Sequence, residues 1–382
     1  MWKWYKRAVS DRIKALRRFI RRFASSPRLA LSFLRFQSEI RRRNWTAALG
    51  LLERLAEGAI KVRDTRLLKE MSAAAGRLGD YENYTRWGIE NARLRGELKT
   101  TDWRGEDLSQ ATLVVSFMET EKQGLAIGLN QAGYVREASR AARECFLIVE
   151  KRLVPIFQRT LPEVKVLPFP QPSPFSHPGE RVITADPLIL RAVLGSLPRR
   201  ISELYVPLVA DVSLTRKLRE RYQSGSQMAL IGISWWSSHH GKDLPAIGEW
   251  ALFVRDCPAV FVSLQYGSVE QDCKILSEAA PDRFICDSEV DQLKQMDSFA
   301  SQLCAMDAII TISNTGAHLA GGLGVPTAVI RDDWFRRGWP VLSDQTPWYP
   351  NTRVFGKDGR PWAEIFAAIR AWLDERRALK AQ

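Results

Sequence analysis

AIITISNTGAHLAGGLGVPTAVI, residues 308–330, reads as a strand, a turn, a short helix and a second strand. Residues 308–313 are apolar and rich in β-branched side chains, the composition of a parallel strand covered on both faces. Asn314, Thr315 and Gly316 supply turn chemistry. Residues 318–323 are expected to be helical, with Gly321, Gly322 and Gly324 allowing close backbone approach and a stop. Residues 325–330 form the next strand, entered through Pro326. A helix start at the carboxyl end of a parallel strand offers unpaired N–H groups and a partial positive charge, a seat for phosphate. An ordinary βαβ unit without a ligand has the same pattern, so the flanking sequence has to decide between the two.

Upstream of this stretch the same alternation continues. A sheet opens at 228–235, followed by a polar loop at 237–243, a helix at 246–255 and a strand at 260–264. A helix at 269–279, a strand at 284–286 and a helix at 297–306 lead into residue 308. An earlier series starts with a strand at 111–117 and a glycine-bearing turn at Gly124. A helix then runs to about 143, with a strand at 145–149, a helix at 150–160 and a strand at 164–167. Five prolines make 168–178 a loop, helix and strand signals alternate from 182 to 221, and Ser224, Gly225 and Ser226 read as a hinge. Strand–helix–strand alternation of this kind specifies parallel, doubly wound sheets. The division expected is an N-terminal α/β half at 100–225 and a C-terminal half at 226–382, closed by a helix over 362–379. A ligand is expected between the halves, at the strand carboxyl ends.

Residues 27–99 show no strand alternation and are expected to be all-helical. Asn44-Trp45 and Asp80-Tyr81 each set a polar residue and an aromatic at a helix start. Residues 76–82, GRLGDYE, resemble the inter-helix turn of a tetratricopeptide repeat, whose period is about 34 residues. A plain pair of helical hairpins would show the same pattern; the expectation is a short, degenerate repeat-like domain over 27–99 that binds a partner or caps the next domain.

Residues 1–45 carry 14 of the 56 Lys and Arg against two acids, so nearly all of the net charge of +13 sits at one end. Within it, Trp2, Tyr5, Val9, Ile13, Leu16, Ile20 and Phe23 recur at steps of three and four among basic residues. Residues 1–23 are therefore expected to form an amphipathic helix, inside a basic segment 1–26, that suits an anionic membrane surface. A helix packed on the next domain with a solvated basic face and an organelle transit peptide are the other readings. The near-neutral remainder is not a basic platform, so nucleic acid is not the expected partner. No apolar run approaches the roughly 20 residues that span a bilayer, and no secretory signal is evident. The five cysteines are scattered without a CxxC pair, which fits a reducing compartment and argues against a zinc site. Four histidines make a multi-histidine metal centre unexpected.

Four segments together resemble a known family. Residues 103–108 (WRGEDL), 231–235 (IGISW), 262–267 (VSLQYG), and 313–326 with 346–350 (TPWYP), Arg353 and Phe355 occur in the order found in bacterial GT-B glycosyltransferases. These are relatives of the lipopolysaccharide heptosyltransferases and, more distantly, of the O-GlcNAc transferases, in which tetratricopeptide-like helices precede the transferase. The resemblance spans about residues 100–372. It implies a GT-B fold of two Rossmann-like domains and transfer of a sugar from a nucleotide-diphosphate donor to a glycan or protein acceptor. It places the pathway in bacterial cell-surface glycan or protein glycosylation. It implies no metal and no cofactor beyond the donor. The donor lies in the C-terminal half and the acceptor enters from the N-terminal half. Combined with the basic segment, the expected location is the cytoplasm, peripheral on the inner face of the membrane.

Roles follow from the resemblance. Asn314, Thr315, Gly316 and Ala317 would meet the diphosphate, and His318 a phosphate or sugar oxygen. Lys242 would be the phosphate cation. Trp235, Gln265 and Tyr266 would lie at the nucleoside, and Asp297 would accept from ribose hydroxyls. Helix capping, core packing and solvation are the plainer readings of the same residues. Asp332-Asp333 lies past the second strand and does not take the place of a metal-binding acidic pair. One departure matters. Family members have an acidic residue after a glycine in the first turn of the N-terminal half, the proposed base in the heptosyltransferases; here that position holds Ile127. The substitutes are Glu119, Glu121, His239, His240 and Asp243, a histidine being suited to deprotonate a hydroxyl near neutrality. The alternative is a catalytically degenerate protein that binds nucleotide-sugar or acts as a scaffold.

Overall fold

The computed structural model describes residues 26–118, 125–170, 181–237, 243–267, 269–332 and 339–381. The chain divides after Glu97 into two compact units. The first is all-helical, as expected: α1 (Pro27–Arg41), α2 (Trp45–Lys61), α3 (Thr65–Arg77) and α4 (Tyr81–Arg95). Three of the starts are capped by an acceptor side chain. Asn44 accepts from Ala47 N–H at 3.3 Å, Asp64 from Leu67 N–H at 2.8 Å and Asp80 from Asn83 N–H at 3.0 Å. Each cap satisfies an N–H that has no acceptor inside its helix. The interior is filled by Leu51, Leu52, Leu55, Leu67, Leu68, Met71 and Trp87, all buried. The amphipathic segment expected at 1–23 lies outside the described residues.

The second unit is α/β. Its first sheet contains β1 (Thr112–Ser116), β2 (Glu144–Glu150), β3 (Lys165–Phe169) and β4 (Val182–Ala185), all parallel, in the order β3-β2-β1-β4. The crossovers carry α5 (Ala132–Ala141) and α6 (Val154–Thr160). After β4 come α7 (Pro187–Leu194), α8 (Pro198–Glu203) and α9 (Val212–Gln223). The loop expected from residue 168 begins later, because Pro168 and Phe169 still pair with β2 at the sheet edge, where a missing N–H is tolerated.

The second sheet is built from β5 (Leu230–Ser234), β6 (Val260–Ser263), β7 (Phe284–Ile285), β8 (Ala308–Ile312), β9 (Thr327–Arg331) and β10 (Thr352–Gly356). Its order is β10-β9-β8-β5-β6-β7, every pair parallel. The chain thus builds outward from β5 in one direction, returns, and builds from β8 in the other. Right-handed crossovers then put the helices of the two directions on opposite faces. One face is covered by α10 (Ile247–Asp256), α11 (Glu270–Ala279) and α14 (Trp362–Ala381), whose Trp250, Leu276 and Ile369 meet Ile231, Ile310 and Phe261. The other face carries α9, α12 (Met296–Cys304) and α13 (Thr315–Gly322). Helix α9 packs on this sheet: Arg219 bonds the Ala305 carbonyl at 2.8 Å and Asp307 at 3.1 Å. Cys273 and Cys286 are joined by a disulfide, a pairing their scattered spacing in the sequence does not announce; Cys145, Cys257 and Cys304 are free thiols.

Candidate functional site

The reversal of strand order between β5 and β8 leaves a crevice at their carboxyl ends, the position where open parallel sheets take their ligands. Helix α13 starts there. Its first residue is Thr315, three earlier than the sequence suggests, because Asn314 caps it: Asn314 Oδ1 accepts from Ala317 N–H at 3.0 Å. The other side of the same amide donates to Ser234 Oγ at 2.9 Å, across the reversal point. Ser234 Oγ in turn donates to Gln265 Oε1 at 3.0 Å. That oxygen also accepts from the N–H groups of Trp235 and Trp236, both at 2.8 Å, while Gln265 Nε2 donates to the carbonyls of Trp236 and Tyr266. One relay therefore ties the ends of β5, β6 and β8 into a rigid floor.

The relay redistributes the expected roles. Gln265 is buried and its amide is fully used within the protein, so it has no amide group left to offer a ligand. Ala317 N–H is taken by the cap. The N–H groups of Thr315 and Gly316 have no acceptor inside the helix and carry the positive end of its dipole. Trp235 is buried in the core, with Nε1 donating to Asp272 at 2.8 Å. Its neighbour Trp236 is 44% exposed, tilted against Tyr266 with ring centres 5.9 Å apart. Trp236 is the aromatic surface that the sequence reading passed over. A fully buried parallel strand has no in–out alternation to tell one tryptophan from the next.

His318 lies one turn into α13, half-buried. Its ring stacks on Trp339, with centres 4.8 Å apart and planes 12° from parallel, and its Nδ1 is 3.2 Å from the Tyr349 hydroxyl. The phenol fits because position 321 is glycine: a Cβ there would lie 2.6 Å from the Tyr349 ring. The next glycine meets the N-terminal half. A Cβ on Gly322 would lie 2.9 Å from the Leu129 carbonyl, and the Gly322 carbonyl accepts from Leu208 N–H at 2.8 Å. The Tyr205 hydroxyl donates to the Gly321 carbonyl at 3.0 Å.

Two candidate acids are already paired. Asp297 is held by Arg159 of the N-terminal half, and Asp243 by Lys357 at the end of β10. Arg331 and Lys357, at the ends of β9 and β10, are cations that sequence reading did not select; Arg331 is buried against Asp358 at 2.8 Å. Lys242, His239, His240, Glu119 and Glu121 lie outside the described residues, as does Asp333. Ile127 ends a short turn (Leu125–Ile127) after which Gly128 packs so close to Phe117 that a Cβ would lie 2.1 Å from its ring. Among the described residues no group of three or more His, Cys, Asp or Glu is placed to hold a metal ion, and no helix is long and apolar enough to cross a membrane. A separate cavity of about 350 Å³, lined by Tyr222, Met228, Val260 and Phe284, opens at the amino ends of β5 and β6, away from the crevice.

No protein-family model matches the chain. In sequence it is 26% identical over 313 residues to Protein FlbA of Caulobacter vibrioides, a match covering 74% of this chain and 50% of that protein. The chain thus spans about half the length of the curated relative it matches. Among solved structures it is similar to a glycosyl transferase family 9 protein from Veillonella parvula, with a TM-score of 0.48 and 12% identity over 69% of this chain and 92% of the other. It is also similar to E. coli ADP-heptose lipopolysaccharide heptosyltransferase II, with a TM-score of 0.43 and 12% identity over 69% of this chain and 99% of the other. E. coli heptosyltransferase WaaC with ADP gives a TM-score of 0.45 with the same identity and coverage.

Proposed function

We propose that the chain is a GT-B glycosyltransferase that moves a sugar from a nucleotide-diphosphate donor to a glycan or protein acceptor. The observation that carries this reading is the start of α13 at the reversal point, its cap bonded across to β5. The donor diphosphate would lie against Thr315 and Gly316 N–H, with the base toward Trp236 and Tyr266. An acceptor hydroxyl entering from the N-terminal half would displace the diphosphate at the anomeric carbon. Preorganised N–H groups and the helix dipole favour the charge that develops on the leaving phosphate, a role that needs no metal. Residues 1–23 would hold the protein on an anionic membrane surface, beside a surface-glycan or protein-glycosylation pathway.

A second reading, a degenerate nucleotide-sugar-binding protein, is favoured by one observation: Asp243, a candidate base, is held in an ion pair with Lys357. Calorimetric titration with ADP, GDP and UDP, followed by donor-turnover assays in EDTA, tests both. Binding of one nucleotide with turnover supports the transferase. Binding without turnover across a donor panel supports the second reading, and absence of binding overturns both.

A further inference from the structure

Cys273 and Cys286 flank the indole of Trp235. Trp235 Nε1 donates to Asp272, the residue before Cys273 near the start of α11. The same ring is tilted against Phe284 of β7, two residues before Cys286, with centres 6.5 Å apart. The disulfide therefore joins the two segments that hold this indole, and the main-chain N–H of Trp235 belongs to the Gln265 relay.

The two sulfurs differ in access. Cys273 is 8% exposed, inside the core cluster that contains Trp235, whereas Cys286 is exposed. An exposed disulfide is open to a thiolate, which attacks the sulfur it can reach. The segments it joins have few other restraints. β7 is two residues long, pairs with β6 on one side and is the last strand of its sheet. Helix α11 starts without a side-chain cap. A second tether follows Cys286. The Asp287 side chain, 6% exposed, accepts from the Tyr222 hydroxyl and pairs with Arg221 of α9, and Gln302 Nε2 donates to the Tyr222 oxygen at 3.0 Å. These bonds do not involve sulfur, so the chain after β7 stays docked when the S–S bond opens.

We propose that Cys273–Cys286 is a thiol–disulfide exchange site for a dithiol reductant, and that its opening loosens the Trp235 side of the crevice. A thiolate of the dithiol attacks Cys286 Sγ. A bond forms between those two sulfurs, the bond to Cys273 breaks, and Cys273 leaves as a thiolate that takes up a proton. The second thiolate of the reductant then attacks the reductant's own sulfur in the mixed disulfide and releases Cys286, which is protonated in turn. The reductant ends as a disulfide, and two electrons have passed to the protein. In the closed form α11 and β7 are clamped on either side of Trp235; in the open form only the Asp272 bond and ring packing hold the indole. The effect on a bound nucleotide rests on the proposed function, and the exchange chemistry on the structure alone.

Alkylation of the native full chain with iodoacetamide, read by peptide mass spectrometry, tests the exchange. In air neither Cys273 nor Cys286 is expected to be labelled. After dithiothreitol without denaturant Cys286 is expected to be labelled, and in an unalkylated sample the bond is expected to re-form when the reductant is removed. A pair that stays closed until the chain unfolds, or that never closes in air, overturns the proposal. Amide hydrogen exchange reads the loosening. Reduction is expected to speed exchange about tenfold over 270–273 and 284–286 and to leave β8 unchanged. Cys286→Ser, a change at an exposed position, is expected to show the faster rate with or without reductant. Equal rates in the wild type before and after reduction overturn the loosening. Binding of ADP, GDP and UDP reads the crevice: reduction is expected to weaken the wild type about threefold and to leave Cys286→Ser unchanged. An unchanged wild-type affinity overturns the link to the crevice. A chain that binds none of the three sinks the proposed function, while labelling and exchange still decide the site.

Discussion

At Gln265 one side-chain amide meets five groups: three donors converge on its oxygen and two carbonyls receive its N–H groups. Removing it leaves the buried N–H of Trp235 and the part-buried N–H of Trp236 without their acceptor, and an unmet buried donor costs about 1–3 kcal/mol. Gln265→Leu is therefore expected to lower the unfolding free energy by about 3 kcal/mol, read from urea denaturation. If stability holds while nucleotide affinity collapses, Gln265 is a ligand and not a clamp. In sequence the two roles look alike, because a polar residue at the end of a parallel strand is where either belongs. The same holds for Asp297. Its position at the start of α12 was readable, but its partner Arg159 comes from the other half, 138 residues away. Trp235 and Trp236 were both visible, and only packing says which is core.

At the scale of elements the alternation of strands and helices was legible, since buried parallel strands announce themselves as short β-branched runs between helices. β10 was not singled out as a strand: TRVFG is five residues long, carries a charge and ends in glycine. Helix α13 begins earlier than its apolar pattern suggests because a cap, and not hydrophobicity, sets its start. This makes Asn314 a sharp probe. Asn314→Asp keeps an oxygen for Ala317 N–H and adds a negative charge that the helix dipole favours, at the loss of the bond donated to Ser234. Folding stability is expected to change by no more than about 1 kcal/mol. A diphosphate at the same helix start would meet a like charge, and its affinity is expected to fall at least about tenfold, with the loss reduced at high salt. Calorimetry at two ionic strengths checks this; an unchanged affinity would place the diphosphate elsewhere.

Across the α/β unit, the two halves meet where α13 is thinnest. Gly321 and Gly322 expose their carbonyls to Tyr205 and Leu208 of the N-terminal half, and nothing larger than glycine fits at Gly322 without displacing the Leu129 backbone. The glycine pair at 321–322 was readable as a site of close approach, but what approaches it was not, since Tyr205 and Leu208 lie more than a hundred residues upstream. Tyr205 reports on this seam through its ionisation. Burial pushes its phenol up to about 12 from an ordinary 10. In the unfolded chain the phenol loses its proton near pH 10, whereas in the folded chain it keeps it to about 12. Its contribution is therefore fully present below pH 10 and lost as pH rises from 10 toward 12. Tyr134 and Tyr222, also pushed up to about 12 by burial, add to the same fall. Tyr205→Phe removes one ionising group and leaves the others. Urea unfolding at pH 9, 10 and 11 is expected to show a steep loss for the wild type and a shallower one for Tyr205→Phe. The variant starts from a slightly lower stability at pH 9, because the bond to the Gly321 carbonyl is gone. Equal slopes would mean that water reaches the phenol and that the halves do not seal at α13; a shallower slope would mean that the seam behind the crevice is closed in solution.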